Sequence, residues 1–205
     1  MKAWKLFDII KNAKYKETGL KVNYCIKVDK KEGFVYLLFE KSSGNVDWKI
    51  NFDFPKKPYH NQKRELLLHG GYVKAWKSAN DVICKEAIEA FTAHPECTPI
   101  VAGWSYGGAM AAIAAEDINF RSGIKPALIT FGAPKICGSK KTANVIKGSC
   151  SECLNYAQYN DIVTHVVPWY EDLGYVKIGK KYNPVKSLNP WHYHTQYGDE
   201  SIYWL

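Results

Sequence analysis

Strand-like apolar runs alternate with helical patterns through the middle of this chain. That alternation predicts an α/β fold, a mainly parallel sheet with helices on both faces. Three observations carry the prediction. Phe34-Val35-Tyr36-Leu37-Leu38-Phe39 is an almost unbroken apolar run, as expected of a strand buried on both faces. Residues 99–103 form a short apolar run that leads directly into a helix of small residues. Ala127-Leu128-Ile129-Thr130-Phe131 repeats the strand pattern after that helix.

Taken in order, residues 1–16 read as an amphipathic helix with Trp4, Phe7 and Ile10 on one side. Residues 22–28 alternate apolar and polar side chains and predict the first strand, with 34–39 the second. Residues 51–64 combine Phe52, Phe54, Tyr59, Pro55 and Pro58 with basic and amide side chains, which predicts a loop or flap rather than a helix. Gly70-Gly71 opens a pattern over 72–93, in which Val73, Trp76, Ala79, Ile83, Ala87 and Phe91 recur at helical spacing and predict one long helix. A helix over 107–117 and strands over 127–131 and 154–159 complete the expected set. With no internal repeat or low-complexity segment, 1–205 is expected to be a single domain.

Composition narrows the function. At 46% hydrophobic and 14% aromatic residues, the chain can bury a core and is not a disordered segment. The net charge of +8 is dispersed, with Lys2, Lys5 and Lys11 near the start and Lys180, Lys181 and Lys186 late in the chain. Neither an RNA-binding motif nor zinc-finger spacing accompanies it, so no nucleic-acid partner is expected. A solvated basic surface is the expectation, with loose attraction to anionic lipid the next reading. Residues 1–14 lack the continuous apolar stretch of a signal peptide, so a cytoplasmic location is expected. The six cysteines are spread out. Cys150 and Cys153 form a lone C-x-x-C without a second pair at zinc-ligand spacing, so reduced thiols are expected and no metal site.

The chemistry lies in Gly103-Trp104-Ser105-Tyr106-Gly107-Gly108, a G-x-S-x-G pattern between a strand and a helix. A serine on such a sharp turn exposes its hydroxyl above the sheet edge. Its neighbours two positions away must be nearly bare, and the N–H of Tyr106 falls at a helix start, where negative charge is stabilised. Serine needs a base, and in this arrangement the acid and then the histidine follow in the chain. His60, His69 and His94 precede Ser105 and fail that order. Among the later acids, Asp117 falls at the end of the helix after the serine, and Asp172 and Asp199 remain. Asp161 follows a strand and is the acid of choice, with a turn-capping role as the structural alternative. His165 is too local to Asp161, which leaves His192 and His194.

Taken together, these residues resemble the class 3 lipases, a family with the α/β-hydrolase fold. Phe39-Glu40-Lys41-Ser42 followed by Asp47-Trp48 is similar to the family's oxyanion block, with Glu40 and Lys41 where the family usually carries Arg and Gly. His69-Gly70-Gly71-Tyr72 with Ala75-Trp76, the elbow, Phe131-Gly132-Ala133-Pro134 and Asn160-Asp161-Ile162-Val163 with Pro168 follow in the family's order. The resemblance implies a carboxylic ester hydrolase with catalytic Ser105, Asp161 and His194, the last preferred over His192 because Tyr197 stands three residues beyond it. It implies Ser42 and Tyr106 as oxyanion donors, an acyl ester or lipid as substrate, transient contact with a lipid surface, and no metal or organic cofactor. An acyltransferase or amidase with the same triad, or an inactive lipid-binding relative, are the alternatives.

Overall fold

The computed structural model describes residues 1–18, 20, 22–41, 55–59, 66–179 and 191–204. Ser42, Asp47, Trp48, most of the expected flap over 51–64, and Lys180, Lys181 and Lys186 lie outside the described residues. Six strands form the main sheet: β1 (Tyr24–Asp29), β2 (Phe34–Phe39), β5 (Thr98–Trp104), β6 (Ala127–Phe131), β7 (Glu152–Gln158) and β8 (Tyr175–Ile178), in the order β1-β2-β5-β6-β7-β8. Only β1 runs antiparallel to its neighbour; every pair from β2 to β8 is parallel. A separate antiparallel pair joins β3 (Lys56–Tyr59) to β4 (Leu66–His69).

Burial follows the pleat. Along β2, Val35, Leu37 and Phe39 face one core, while Tyr36 and Leu38 face the other. Side chains of a strand alternate between faces, so a run apolar at every position belongs between two layers. The first core is covered by α2 (Gly70–Lys77), α3 (Asn80–Ala93), α4 (Tyr106–Ser122) and α5 (Lys140–Gly148). The second is covered by α1 (Ala3–Asn12) and by Tyr197 near the C-terminus. α4 is buried almost all round from Tyr106 to Ile118 and ends at Gly123, which adopts the left-handed conformation (φ 76°) that closes a helix.

Several expectations need correction. The helix expected over 72–93 is two helices. The chain breaks at Ser78 and Ala79, where the Ser78 hydroxyl donates to the Ala75 carbonyl at 2.6 Å. Both helices pack apolar residues into the same core, so the apolar spacing runs on across the break. Part of the expected flap is strand: Pro58 stands opposite Leu67 in a two-stranded antiparallel ribbon, and among the described residues β3 pairs on one side alone, where a residue without an N–H is tolerated. In α1 the buried positions are Leu6, Phe7 and Ile10; Trp4 is half-buried against Tyr203. Among the described residues, no helix is long and apolar enough to cross a membrane.

Candidate active site

The parallel strands bring three chain segments to one sheet edge. β5 delivers Ser105, β6 delivers Gly132, and β7 leads through Tyr159 and Asn160 to Asp161. Open α/β sheets gather ligand-handling residues at this carboxyl edge.

Ser105 adopts φ 57° and ψ −125°, a conformation that L-residues avoid at a cost of roughly 1–3 kcal/mol. The surroundings hold it there. Its N–H donates to the Phe131 carbonyl at 2.9 Å, tying the turn to β6. A Cβ at Gly107 would stand 2.4 Å from the Phe39 carbonyl oxygen, and one at Gly103 would stand 2.2 Å from that of Gly107. The two glycines of the motif are therefore bare because the helix start presses on β2 and β5. Tyr106 opens α4, in the first turn, where N–H groups are not consumed by the helix's own ladder.

Asp161 is fully buried. Its Oδ1 accepts from the Val163 N–H at 2.9 Å, which caps the short helical turn Ile162–His165. The same carboxylate lies 3.0 Å (Oδ1) and 2.9 Å (Oδ2) from His194 Nδ1. Capping and histidine orientation, weighed above as alternatives, are met by one side chain. Oδ2 also accepts from the Tyr197 hydroxyl at 2.6 Å, and that hydroxyl accepts from the Gln158 N–H at 3.1 Å. Burial and the neighbouring carboxylate push the Tyr197 phenol well above its ordinary value, so it stays a proton donor.

His194 sits in the turn Tyr193–Thr195, 6% exposed. Its carbonyl accepts from Trp104 Nε1 at 3.0 Å, which ties the C-terminal segment to the residue before Ser105. With Nδ1–H directed at Asp161, Nε2 is the acceptor nitrogen. His192, the alternate base, is exposed and edge-on to Tyr193. His165 bonds the Asp161 backbone carbonyl through Nδ1 at 2.9 Å and not its carboxylate. The other acids have different work. Asp117 accepts from Tyr59, Trp76 and Arg121 inside the core, and Asp172 caps the turn at Gly174.

An apolar cavity of about 440 Å³ opens between Ser105 and His194. Trp104 and Tyr106 form one side. Ile162, Val163, Val166 and Val167 form another, and Tyr72, Pro134 and Trp191 close it, with Lys41 at the rim. That volume suits an acyl chain or a small ligand. Val167 is held at φ 57°, an outlier for a β-branched residue, where the segment turns back to make the wall.

Sequence reasoning missed two contributors. Tyr197 entered only as a spacing mark after His194, although an aromatic one turn beyond a buried histidine is placed to reach the same acid. Trp104 occupies a variable position of the motif, and its indole N–H is what binds the histidine segment. Among the described residues, no group of three or more His, Cys, Asp or Glu is arranged to hold a metal ion.

A strained serine elbow, a buried Asp–His pair and a mainly parallel sheet define an α/β-hydrolase fold. Within that class the chain belongs to the family described as Lipase (class 3), whose model matches residues 36–171. It is 28% identical over 153 residues to a lipase of Rhizopus niveus, covering 71% of this chain and 37% of that one. It is 32% identical over 107 residues to a secreted mono- and diacylglycerol lipase of Fusarium solani, covering 52% and 31%. A triacylglycerol lipase in which a serine protease triad forms the catalytic centre shares the fold, with a TM-score of 0.65 and 24% identity over 76% of this chain and 60% of that one. The chain spans less than half the length of the curated relatives it matches.

Proposed function

We propose that this protein is a serine carboxylic ester hydrolase acting on lipid or other acyl esters. The observation that carries the reading is a strained serine sharing one apolar cavity with a histidine that a buried aspartate holds from behind. The serine protease triad of the lipase with the same fold supports it.

In this reading His194 Nε2 takes the Ser105 hydroxyl proton while Oγ bonds to the ester carbonyl carbon. Asp161 fixes the tautomer and stabilises the imidazolium. The N–H of Tyr106 receives the oxyanion, with the α4 N-terminus adding its dipole, and the family resemblance assigns the second donor to Ser42. Each such donor lowers the barrier by ~3 kcal/mol. The tetrahedral species collapses, the alcohol leaves with the proton from His194, and an acyl-enzyme remains. Water, deprotonated by His194, attacks the acyl carbon, the bond to Ser105 Oγ breaks as Oγ recovers the proton from His194, and the acid departs. None of these steps calls for a metal or an organic cofactor.

Ile162, Val166 and Trp191 are large apolar residues exposed on the cavity wall, and Trp169, two residues along the chain from the wall residue Val167, is exposed as well. They favour transient seating on a lipid surface. A cytoplasmic setting is part of the proposal, since six free cysteines suit a reducing compartment.

Hydrolysis of short and long p-nitrophenyl esters tests the mechanism. Ser105→Ala and His194→Ala should each lose ~10⁴-fold or more, and His192→Ala should stay near wild type. Activity that survives Ser105→Ala ends the mechanism. Product analysis with added alcohols separates hydrolysis from acyl transfer.

A further inference from the structure

Lys41 stands where the family block it belongs to usually carries glycine. Register explains why its side chain reaches the site. β2 pairs in parallel with β5, Phe39 opposite Gly103, so the chain leaving β2 passes beside the elbow. The Lys41 ammonium lies over the Trp104 ring, 5.1 Å from its centroid, at the exposed rim of the cavity that holds Ser105. The neighbouring Glu40 carboxylate is engaged with Asn23, whose Nδ2 donates to its Oε2 at 2.6 Å. Among the described residues no carboxylate forms an ion pair with Lys41, and none lines the cavity. Among the described residues the site thus has an apolar interior and one lysine at its mouth. In the hydrolase reading the apolar interior suits the acyl chain, which would leave the alcohol half of the substrate at the rim.

We propose that Lys41 is a specificity-determining residue that selects esters whose alcohol portion carries a phosphate, as in an anionic glycerophospholipid. The proposal rests on the hydrolase reading above. An ammonium held over an indole keeps its N–H donors for a phosphate oxygen and repels a cationic head group. A rival role, general stabilisation of the oxyanion, would help every ester equally.

The test compares dihexanoyl phosphatidic acid, dihexanoyl phosphatidylcholine and dihexanoylglycerol, each below its micelle concentration, so that attraction to a charged surface plays no part. Wild type should favour the phosphatidic acid over the neutral diester by ~5-fold in kcat/KM, the upper end for an exposed charge pair. The preference should vanish in Lys41→Met, persist in Lys41→Arg, reverse in Lys41→Glu and shrink as salt rises. A ratio that is the same in wild type and Lys41→Met, or an equal loss on all three esters, overturns the proposal while leaving the hydrolase reading intact. A wild type that cleaves p-nitrophenyl esters but none of the three overturns the proposal alone, and one that cleaves no ester of either kind overturns both.

Discussion

Replacing Gly132 with alanine tests how tightly the acid is held. Gly132 follows β6 at φ 55°, and its N–H donates to the Tyr156 carbonyl at 2.9 Å. A Cβ there would stand 2.5 Å from Asp161 Oδ2 and 3.0 Å from both Nδ1 and Cε1 of His194. Ordinary contact lies near ~3.5 Å, so the carboxylate must retreat by about 1 Å. That retreat breaks the 2.9 Å contact with His194 Nδ1. A misplacement of this size costs ~10²-fold in rate. The left-handed backbone adds ~1–2 kcal/mol of strain, or roughly 2–8 °C in melting temperature for a chain of this size. Kinetics on p-nitrophenyl butyrate with thermal melting by circular dichroism reads both. A folded Gly132→Ala with wild-type kcat and melting temperature would refute the claim that this glycine makes room for the Asp–His pair.

Three further outcomes follow from the same geometry. Tyr197→Phe removes one donor to Asp161 and leaves the buried Gln158 N–H without its acceptor. A hydrogen bond to a charged group is worth ~1.5–3 kcal/mol, so kcat should fall with KM little changed and the melting point should drop; unaltered kcat would remove Tyr197 from the positioning shell. Burial pushes Cys150 up to about 12 and Cys153 to about 11, so both bind protons more tightly folded than unfolded. Their stabilisation is complete below the ordinary thiol range and is lost as pH rises towards 11–12; urea unfolding should be flat from pH 7 to 8.5 and weaken above ~9, and a thiol reagent at pH 8 should leave Cys150 unmodified until urea is added. Trp169 is 61% exposed, and its alanine variant should show a smaller emission blue-shift than wild type on vesicles of phosphatidylglycerol; identical shifts would exclude that face from lipid contact.

Much of this fold is legible in the sequence because its strands lie between two layers. β2, β5 and β6 are apolar at nearly every position and bounded by turns, which no surface helix would be. The less legible parts are those whose neighbours decide them. α5 carries few apolar residues, and its clearest signal is Ser139, whose hydroxyl accepts from the Thr142 N–H at 3.2 Å as a cap. β8 is four residues long with two exposed, and it is a strand because β7 offers it an edge. The same holds at the site. Chain order alone leaves His192 and His194 open, since both follow the acid. They separate only when a tight turn buries one ring against Asp161 and leaves the other in solvent. The Tyr197 hydroxyl likewise acquires its partner from the tertiary fold, 36 residues from Asp161 along the chain.

The central claim is that Ser105 is a nucleophile activated by its neighbours. An alkyl fluorophosphonate, which transfers its phosphonyl group to an activated serine with loss of fluoride, tests it directly. Intact-mass and peptide mapping should place one adduct on Ser105 in the wild type, none in Ser105→Ala, and a much slower adduct in His194→Ala. An adduct on another residue, or a wild type that hydrolyses esters yet is never labelled at Ser105, would contradict the account.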